Sequence, residues 1–300
     1  MKITNKYKLP RAFVSFAESD YKYTPNRYSV STLMNGATET VLKYRHHHRI
    51  EKDVSELIWA IFGTATHKVL EEQEISKHEK AETKIECKVN GSTISGIYDL
   101  YNSKTKKITD YKTTSVWKVI NKDFEDYRLR GLIYAYILKQ QGIDVDRAEF
   151  ILLLKDHSKT KADVDRTYPN RPVYVYRYDI TANDLIFIEN FIINKLIQIK
   201  KQELLSDDEL PGCSSEERWA TPTKYALMEK GKKRAIKLYD IEMDAKSRLK
   251  ENSKYYVEIR PGKDNKCENY CDVKDFCPYY KNKFKGELKW IYTKNYKNAE

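Results

Sequence analysis

The chain lacks any long apolar stretch. No part of its 300 residues approaches the roughly 20 consecutive apolar residues that are needed to span a bilayer. Its first residues, Met1 to Lys6, lack the apolar core of a secretory signal peptide, so we expect a cytoplasmic protein without a membrane partner. Cysteine is scarce, with five residues, and in a reducing compartment we expect metal ligands or buried thiols rather than disulfides.

Acidic residues are too few to balance the basic ones. The 44 Asp and Glu residues face 55 Lys and Arg residues, which gives a formal net charge of +11. Such an excess suits a polyanion such as nucleic acid, through release of counterions from the phosphates, but a merely basic soluble surface explains it equally well. The 24 tyrosines and nine phenylalanines are compatible with base stacking, although most should lie in the core and at its boundary.

Apolar periodicity and turn signals predict an α/β chain, with a mixed β-sheet flanked by helices. We expect an N-terminal arm at 1–28, a core at 29–205, a cysteine-rich region at 206–285 and a basic tail at 286–300. The dipeptide Asn90-Gly91 is the strongest short signal for a hairpin. The expected helices are 29–49, 52–75, Tyr127–Gln141 (ended by Gly142), Thr181–Leu205 and Ala235–Lys250, and the expected strands are Lys84–Val89, Ser92–Tyr101, Lys107–Thr113, Ala148–Leu154 and Val173–Tyr178.

Two features of the expected helices bear on function. Gly63 in a helix interior costs about 1 kcal/mol relative to Ala, which suggests that another element approaches closely there. The triplet His46-His47-His48 resembles a metal site at first sight. Adjacent helix residues point in different directions, however, so three consecutive histidines seldom share one ion.

Two carboxylates and a lysine fall together on the expected hairpin and the strand after it. Side chains alternate along a strand, so Asp110 and Lys112 project to one face, which Asp99 on the neighbouring strand can also reach. Grouped carboxylates without a nearby arginine suit a hard cation such as Mg²⁺, which stabilises phosphoryl charge and activates water. Lys112 would hold or help deprotonate that water, or neutralise the phosphate oxygens.

The alternative interpretation is a solvated strand face whose Asp–Lys pair contributes well under about 1 kcal/mol. A lone D-x-K triplet is a weak signal, and the G-I-Y-D strand at hairpin spacing strengthens it. The apolar neighbours Ile97, Leu100 and Ile108 indicate that the carboxylates are at least partly buried, which favours the metal site.

These segments resemble the PD-(D/E)XK nuclease superfamily, in particular its RecB-like branch, which includes CRISPR-associated RecB-like exonucleases, the AddB nuclease domain and bacteriophage exonuclease relatives. In that branch a G-x-x-x-H helix precedes the hairpin, and Gly63 to His67 fits it, with Glu71 one turn on. Without the hairpin, His67 would more readily be a core histidine. The resemblance implies a restriction-endonuclease-like core at 29–205, and Mg²⁺ or Mn²⁺ held by His67, Asp99, Asp110 and the main-chain carbonyl of Tyr111.

The same family carries a Q-x-x-x-Y helix after the D-x-K strand. Arg130 to Tyr134 matches it, with Tyr134 in the expected place among the catalytic residues and Arg130 where glutamine is usual. Arginine contacts a phosphate as a charge rather than as an amide. Lys118, Lys122 and Arg128 are expected to hold DNA phosphates together with Arg130.

The three cysteines Cys267, Cys271 and Cys277 form a C-x3-C-x5-C pattern, a strong sign of metal coordination. A tetrahedral site or a four-iron cluster needs a fourth ligand, for which Cys213 is the best candidate. Cys87 on the first hairpin strand is expected to be a buried thiol. Because Leu, Ile and Val are sparse after residue 206, a metal staple would offset a small core.

RecB-like proteins often close their core with an iron–sulfur staple, whose last cysteines end in C-x5-C-P, as Cys277-Pro278 does here. The spacing x3 departs from the commoner x2, and residues 35–42 lack the usual distant cysteine. Cys213 ahead of Glu216-Glu217-Arg218-Trp219 resembles the arrangement in phage members instead. The resemblance implies a [4Fe–4S] cluster, and Zn²⁺ stays open.

The combined expectation is a metal-dependent DNA exonuclease of the phage or mobile-element recombination type, acting in the host cytoplasm if phage-encoded. Two alternatives stay open. The departure at Arg130 fits a catalytically idle nuclease fold that binds DNA or assembles with other proteins, and an endonuclease within a larger complex is the other. DNA is the expected partner, with a recombination protein or a second copy of the chain as further candidates.

Overall fold

The computed structural model of the chain describes residues 1–18, 24–249 and 254–283. The chain divides into two units. The first comprises Met1–Thr40 and His47–Leu204, and the second comprises Val41–His46 and Leu205–Glu300. The basic tail expected at 286–300 lies outside the described residues.

The first unit contains a mixed sheet, which fits the expected fold class. The stretch expected to be an arm contributes to this unit, because it supplies two strands and a helix. In chain order the strands are β1 (Lys2–Thr4), β2 (Arg27–Ser29), β3 (Glu51–Asp53), β4 (Glu79–Val89), β5 (Ser92–Asn102), β6 (Lys107–Thr114), β7 (Arg147–Leu154) and β8 (Val173–Asp179).

Strand β5 is the branch point of the main sheet. Along one edge it pairs antiparallel with β4. The other edge is shared, because β2 pairs parallel with Thr93–Ser95 and β6 pairs antiparallel with Leu100–Asn102. From β6 the sheet continues through β7, which is parallel to it, and β8, which is antiparallel to β7. Within the described residues, 96–99 therefore have no partner strand on the shared edge.

The hairpin between β4 and β5 is confirmed. Asn90 and Gly91 have φ values of +48° and +74°, the left-handed pair that a tight two-residue turn requires. Strand β4 begins at Glu79, earlier than expected, and its early residues alternate between half-buried and exposed. The charged stretch before Lys84 is thus compatible with a strand, because one face is exposed to solvent.

Helices pack on this sheet, with α6 against β4, β5 and β7, and α4 against β6. Within the described residues, no helix is both long enough and apolar enough to cross a bilayer. The helices are α1 (Arg11–Ala17), α2 (Val30–Leu33), α3 (Ala37–His46, of which 41–46 belong to the second unit), α4 (Ile58–Glu71), α5 (Val116–Ile120), α6 (Glu125–Gln140), α7 (Lys159–Val164) and α8 (Ala182–Glu203).

Two expected helices are wrong in their extent. The helix expected at 29–49 is divided into α2 and α3, because Gly36 is extended and begins α3 as its N-cap, while the Ser29 side chain caps α2. The helix expected at 52–75 is the shorter α4. A 3₁₀ turn over Val54–Leu57 precedes it, and the Asp53 side chain begins that turn as its N-cap by accepting a hydrogen bond from the Ser55 amide. The same carboxylate also accepts a hydrogen bond from the Lys6 amide, 47 residues upstream.

Helix α6 forms the centre of the first unit, and most of its residues are buried. It ends where expected, since Gly142 follows it with a φ of +75°. Helix α8 begins as expected with a capping box between Thr181 and Asp184. Beneath these helices lies an apolar cluster that joins the loops after β6 to the middle of β7, formed by Val116, Phe124, Tyr127, Ala148, Phe150, Leu152, Leu154 and Tyr168.

In the second unit, the helix expected at Ala235–Lys250 is wrong in its extent. Within the described part of that segment, Lys237–Tyr239 pairs antiparallel with Tyr225–Leu227 as a strand, and only Glu242–Lys246 is helical. The pairing between the strands overrides local propensity. The elements are β9 (Lys224–Glu229), β10 (Lys237–Tyr239), α9 (Glu242–Lys246), β11 (Tyr255–Arg260) and α10 (Asn265–Asn269), with the strands in the order β10-β9-β11.

Candidate metal centre

The sheet opens between β2 and β6, and Asp99 lies at this opening. β5 and β6 stop pairing at Leu100 and Thr109. One residue further on, the Asp99 carboxylate takes the place of the ladder, since its Oδ2 accepts a hydrogen bond of 2.6 Å from the Tyr111 amide. Asp99 is only 7% exposed. Because this side-chain hydrogen bond stands where a backbone hydrogen bond between β5 and β6 would otherwise be, it fixes the Asp99 carboxylate relative to β6.

Glu82 lies across from Asp99 on the other edge of β5. The pairing of β4 and β5 passes from Ala81–Leu100 to Thr83–Tyr98, so the two acidic residues between them face each other. Glu82 has a φ of +45°, which is uncommon for a residue other than glycine. This irregularity in β4 places a second carboxylate beside the first.

Helix α4 brings His67 to the same place. Its Nδ1 lies 3.5 Å from Asp99 Oδ2. One ligand atom each from His67, Glu82 and Asp99 lie within 4.8 Å of one another, close enough to hold a single ion. Glu82 was not among the residues expected from the sequence. The signal for it was weak, because one glutamate among the charged residues before the hairpin has no distinguishing pattern.

Asp110 and Lys112 adjoin this group from β6. Asp110 is 1% exposed and forms an ion pair with Lys112, whose Nζ also donates to the Tyr111 carbonyl at 2.9 Å. Apart from that ion pair, neither oxygen of Asp110 accepts a hydrogen bond from the described residues. A buried carboxylate is costly unless a cation or hydrogen-bond donors satisfy it.

The carboxylates lie close enough to repel one another, with Asp99 buried and Glu82 exposed. Burial, followed by the charge of Asp110, raises the pKa of Asp99, and Lys112, the Tyr111 amide and His67 oppose this. Burial and the charges of Asp99, Glu71 and Asp110 raise the pKa of Glu82 to about 7. Additional positive charge would therefore favour the ionised forms of both groups.

The donor set fits a divalent cation. Carboxylate oxygens suit Mg²⁺ and Mn²⁺, and an imidazole nitrogen is compatible with a transition ion such as Mn²⁺. The Lys112 ammonium already contacts Asp110 and the Tyr111 carbonyl, two of the ligands expected from the sequence. A positive charge is thus accommodated where these ligands converge, and the Asp110 oxygens, whose described partner is Lys112 alone, could also coordinate an ion.

Tyr134 and Arg130 of α6 lie beside this group. Tyr134 is buried, and burial, with a further contribution from Asp110, raises its pKa to about 12. Arg130 contacts Tyr134, and its Nη1 lies 3.4 Å from the Ser31 hydroxyl. The opening of the sheet continues here as a cavity of about 300 Å³, lined by Ser29, Val30, Ser31, Lys84, Ser95, Gly96, Ile97 and Tyr134.

The other basic residues expected to hold phosphates have different surroundings. Arg128 forms an ion pair with Asp184, which joins α6 to the start of α8. Lys118 lies 2.9 Å from Asp126 and above the ring of Tyr127. Lys122 is exposed beyond α5, with a φ of +52°. The structure therefore brings Arg130 to the group, whereas Arg128 and Lys118 have acidic partners of their own.

The cysteine-bearing segments of the second unit are tied together by one buried carboxylate. Asp264 accepts hydrogen bonds from Arg218, Tyr279 and Lys283. Arg218 also donates to the carbonyl of Cys213 and lies over the ring of Tyr279. Cys267 and Cys277 are buried, while Cys213 and Cys271 are half-buried.

Comparisons with known proteins find likeness only at the level of structure. No family model matches the chain, and no curated protein matches it. The protein SSO0001 matches with a TM-score of 0.44 and 14% identity, over 62% of this chain and 83% of that one.

Two further structural matches are exonucleases. A phage-related exonuclease from Haemophilus somnus matches with a TM-score of 0.29 and 13% identity, over 63% of this chain and 77% of that one. An alkaline exonuclease from Laribacter hongkongensis, whose structure is also known with dAMP, matches at 0.33 and 11%, over 59% and 90%. All three TM-scores lie below 0.5, so the likeness to these structures carries no functional conclusion for this chain.

Proposed function

We propose that the chain is a metal-dependent deoxyribonuclease that hydrolyses phosphodiester bonds at DNA ends. One observation carries this: His67, Glu82 and Asp99 converge where the sheet opens, directly beside the buried Asp110 and its ion-pair partner Lys112. A solvated strand face, the alternative for the D-x-K triplet, does not account for a carboxylate that is 1% exposed.

In this proposal His67, Glu82, Asp99, Asp110 and the Tyr111 carbonyl hold Mg²⁺ or Mn²⁺. When bound, the ion would polarise a phosphate oxygen and lower the pKa of a water molecule. Asp99 is held towards β6 by the Tyr111 amide, so the ligands are positioned before substrate arrives. Positioning of this kind removes the need for reorganisation during the reaction.

Lys112 supplies a positively charged side chain beside the ligand group. Its ammonium contacts Asp110 and the Tyr111 carbonyl, and it is partly exposed. From there it can donate to a phosphate oxygen or hold the attacking water. Arg130 and Ser31, beside Tyr134, would bind a neighbouring phosphate at the rim of the cavity. An arginine in place of the usual glutamine supplies a charge for this contact.

The four cysteines would hold a structural metal in the second unit, either a [4Fe–4S] cluster or Zn²⁺. Support comes from the Arg218–Asp264 network, which links the segment of Cys213 to those of Cys267 and Cys277. In addition, a methyl group at Gly212 would lie 2.8 Å from the Tyr279 ring, so the Cys213 loop approaches the Cys277 segment closely.

The deciding experiment is a cleavage assay on end-labelled linear duplex, linear single strands and covalently closed circles, with Mg²⁺ or Mn²⁺. Digestion of linear DNA that spares circles supports an end-dependent exonuclease. Cleavage of circles supports the endonuclease alternative, and tight binding without cleavage in several metals supports the idle fold. Loss of cleavage in Lys112→Ala assigns the activity to this site, whereas unchanged cleavage contradicts the assignment.

A further inference from the structure

Helix α4 presents large aromatic side chains to solvent. Trp59 is 61% exposed and Phe62 is 46% exposed. Within the described part of the chain no residue of this apolar helix is buried, although it lies against β6 at Gly63. An exposed face of this kind on a soluble protein usually marks a binding surface.

The aromatic face is combined with positive charge. The ammonium of Lys155 lies 3.9 Å from the centre of the Trp59 ring, and Trp59 meets Phe62 edge-on. Lys155 is exposed and follows β7, where its amide bonds to the carbonyl of Thr114 at the end of β6. An aromatic ring beside a lysine offers a stacking surface for a base and a charge for its phosphate.

The position of this face relates it to the metal centre. Trp59 and His67 belong to the same helix and are roughly 12 Å apart along its axis at 1.5 Å per residue. Thr114, next to Lys155, lies two residues beyond Lys112 on β6. A distance of about 12 Å corresponds to three or four stacked nucleotides of one strand. A second exposed tryptophan, Trp117, follows the same end of β6 and is 59% exposed.

We propose that Trp59, with Phe62 and Lys155, forms a stacking platform for the unpaired bases of a single DNA strand that enters or leaves the metal centre. This deepens the proposed function and rests on it. A second copy of the chain is the competing occupant of an apolar face. Charge favours nucleic acid instead, because the chain is strongly basic and a lysine is seated on the platform itself.

The test measures binding separately from cleavage. Full-length protein carrying Asp110→Asn is titrated against fluorescein-labelled oligo(dT), a blunt duplex and an abasic oligonucleotide of equal length, with fluorescence anisotropy as the readout. Trp59→Ala should weaken oligo(dT) binding roughly 5- to 100-fold, the range expected for the loss of one stacked base. Its effect on the blunt duplex and on the abasic strand should be less than about twofold, since neither offers an unstacked base.

Three variants separate stacking from other roles. Trp59→Phe should retain much of the affinity, whereas Trp59→Leu, which keeps apolar area without a π-face, should lose it. Val69→Ala is the matched control, because Val69 is 73% exposed on the same helix and carries no ring. The platform would be overturned if Trp59→Ala or Trp59→Leu bound oligo(dT) as tightly as the parent protein does. It would also be overturned if the parent protein bound no DNA at all.

Two further outcomes keep this inference apart from the proposed function. Binding that depends on Trp59 in a protein that cleaves nothing would support the platform and contradict the nuclease. If Trp59→Ala cleaves DNA as fast as the parent protein and binds oligo(dT) equally well, the nuclease would be supported and the platform contradicted. Sedimentation velocity completes the test, because a dimer that Trp59→Ala dissociates would assign the face to a second copy and overturn the proposal.

Discussion

His67 Nδ1 lies 3.5 Å from Asp99 Oδ2, joining a helix to the strand at which the sheet opens. The same oxygen of Asp99 accepts a hydrogen bond from the Tyr111 amide, so one carboxylate on β5 contacts both α4 and β6. The consequences of this arrangement can be measured in the isolated protein.

Removing a ligand should weaken metal binding before any DNA is present. His67→Ala and Glu82→Gln should each lower Mn²⁺ affinity by at least about tenfold, because each withdraws a donor from the group within 4.8 Å. Isothermal titration calorimetry measures this directly. Glu72→Gln, at the exposed end of the same helix, is the control and should bind Mn²⁺ normally. Wild-type affinity in Glu82→Gln would show that Glu82 is not a ligand.

Asp110→Asn and Lys112→Ala should lower the rate of DNA cleavage at least about 100-fold while the protein stays folded. Both side chains adjoin the ligand group, and neither contributes to the apolar core. Initial rates on linear DNA and circular dichroism together test this. Asp144→Asn provides the matched control, because that exposed carboxylate pairs with Lys106 and Lys139, neither of which belongs to the ligand group. A normal rate in either site variant would contradict the assignment.

Without metal, the stability of the protein should fall as the pH rises from about 5 to about 7. The pKa of Glu82 is raised from an ordinary 4.5 to about 7, so the folded state binds this proton more tightly than the unfolded state does. The raised pKa of Asp99 acts in the same direction. Thermal unfolding in EDTA across this pH range measures the fall, and Glu82→Gln should flatten it. A stability that rises through this window would contradict the charge repulsion inferred here.

Two helical glycines should respond oppositely to alanine. At Gly131 a methyl group would lie 2.3 Å from the Tyr178 hydroxyl, which donates to the Arg128 carbonyl, so Gly131→Ala should destabilise the fold by about 1–3 kcal/mol. At Gly63 the nearest atom, Thr113 Oγ1, is 3.5 Å away, and Gly63→Ala should stabilise by up to about 1 kcal/mol. Urea unfolding distinguishes the two, and a destabilised Gly63→Ala would mean that the helix must approach β6 more closely than it does here.

Protein purified without oxygen should contain a metal that depends on the cysteines of the second unit. Cys267→Ser or Cys277→Ser should lose it and should lower the unfolding temperature, because the staple offsets a small core. Elemental analysis for iron, zinc and sulfide decides between the cluster and Zn²⁺. Cys87→Ser is the control, since Cys87 lies in β4 of the other unit and burial raises its pKa to about 11. Metal content that survives both substitutions would contradict the ligand assignment.

Much of this arrangement could be predicted from sequence, because it depends on local signals. The Asn90-Gly91 turn and the alternation of Asp110 and Lys112 are properties of a few adjacent residues, and both appear in the structure as expected. Glu82 could not be predicted, since its role depends on an irregular backbone opposite Asp99. The wrong extent of the helix expected at Ala235–Lys250 has the same origin, because only the tertiary pairing with β9 shows that Lys237–Tyr239 is a strand.

The shared edge of β5 also constrains how the chain can assemble and be shortened. On one side of the opening lies β2, which is far upstream of Thr93–Ser95 in the chain, and on the other side lies β6, which directly follows β5. Pairing of β2 with β5 must close a long loop and should therefore be slower than formation of a hairpin. A truncation that removes Arg27–Ser29 would uncover backbone amides and carbonyls along β5, and an uncovered strand edge is a template for aggregation.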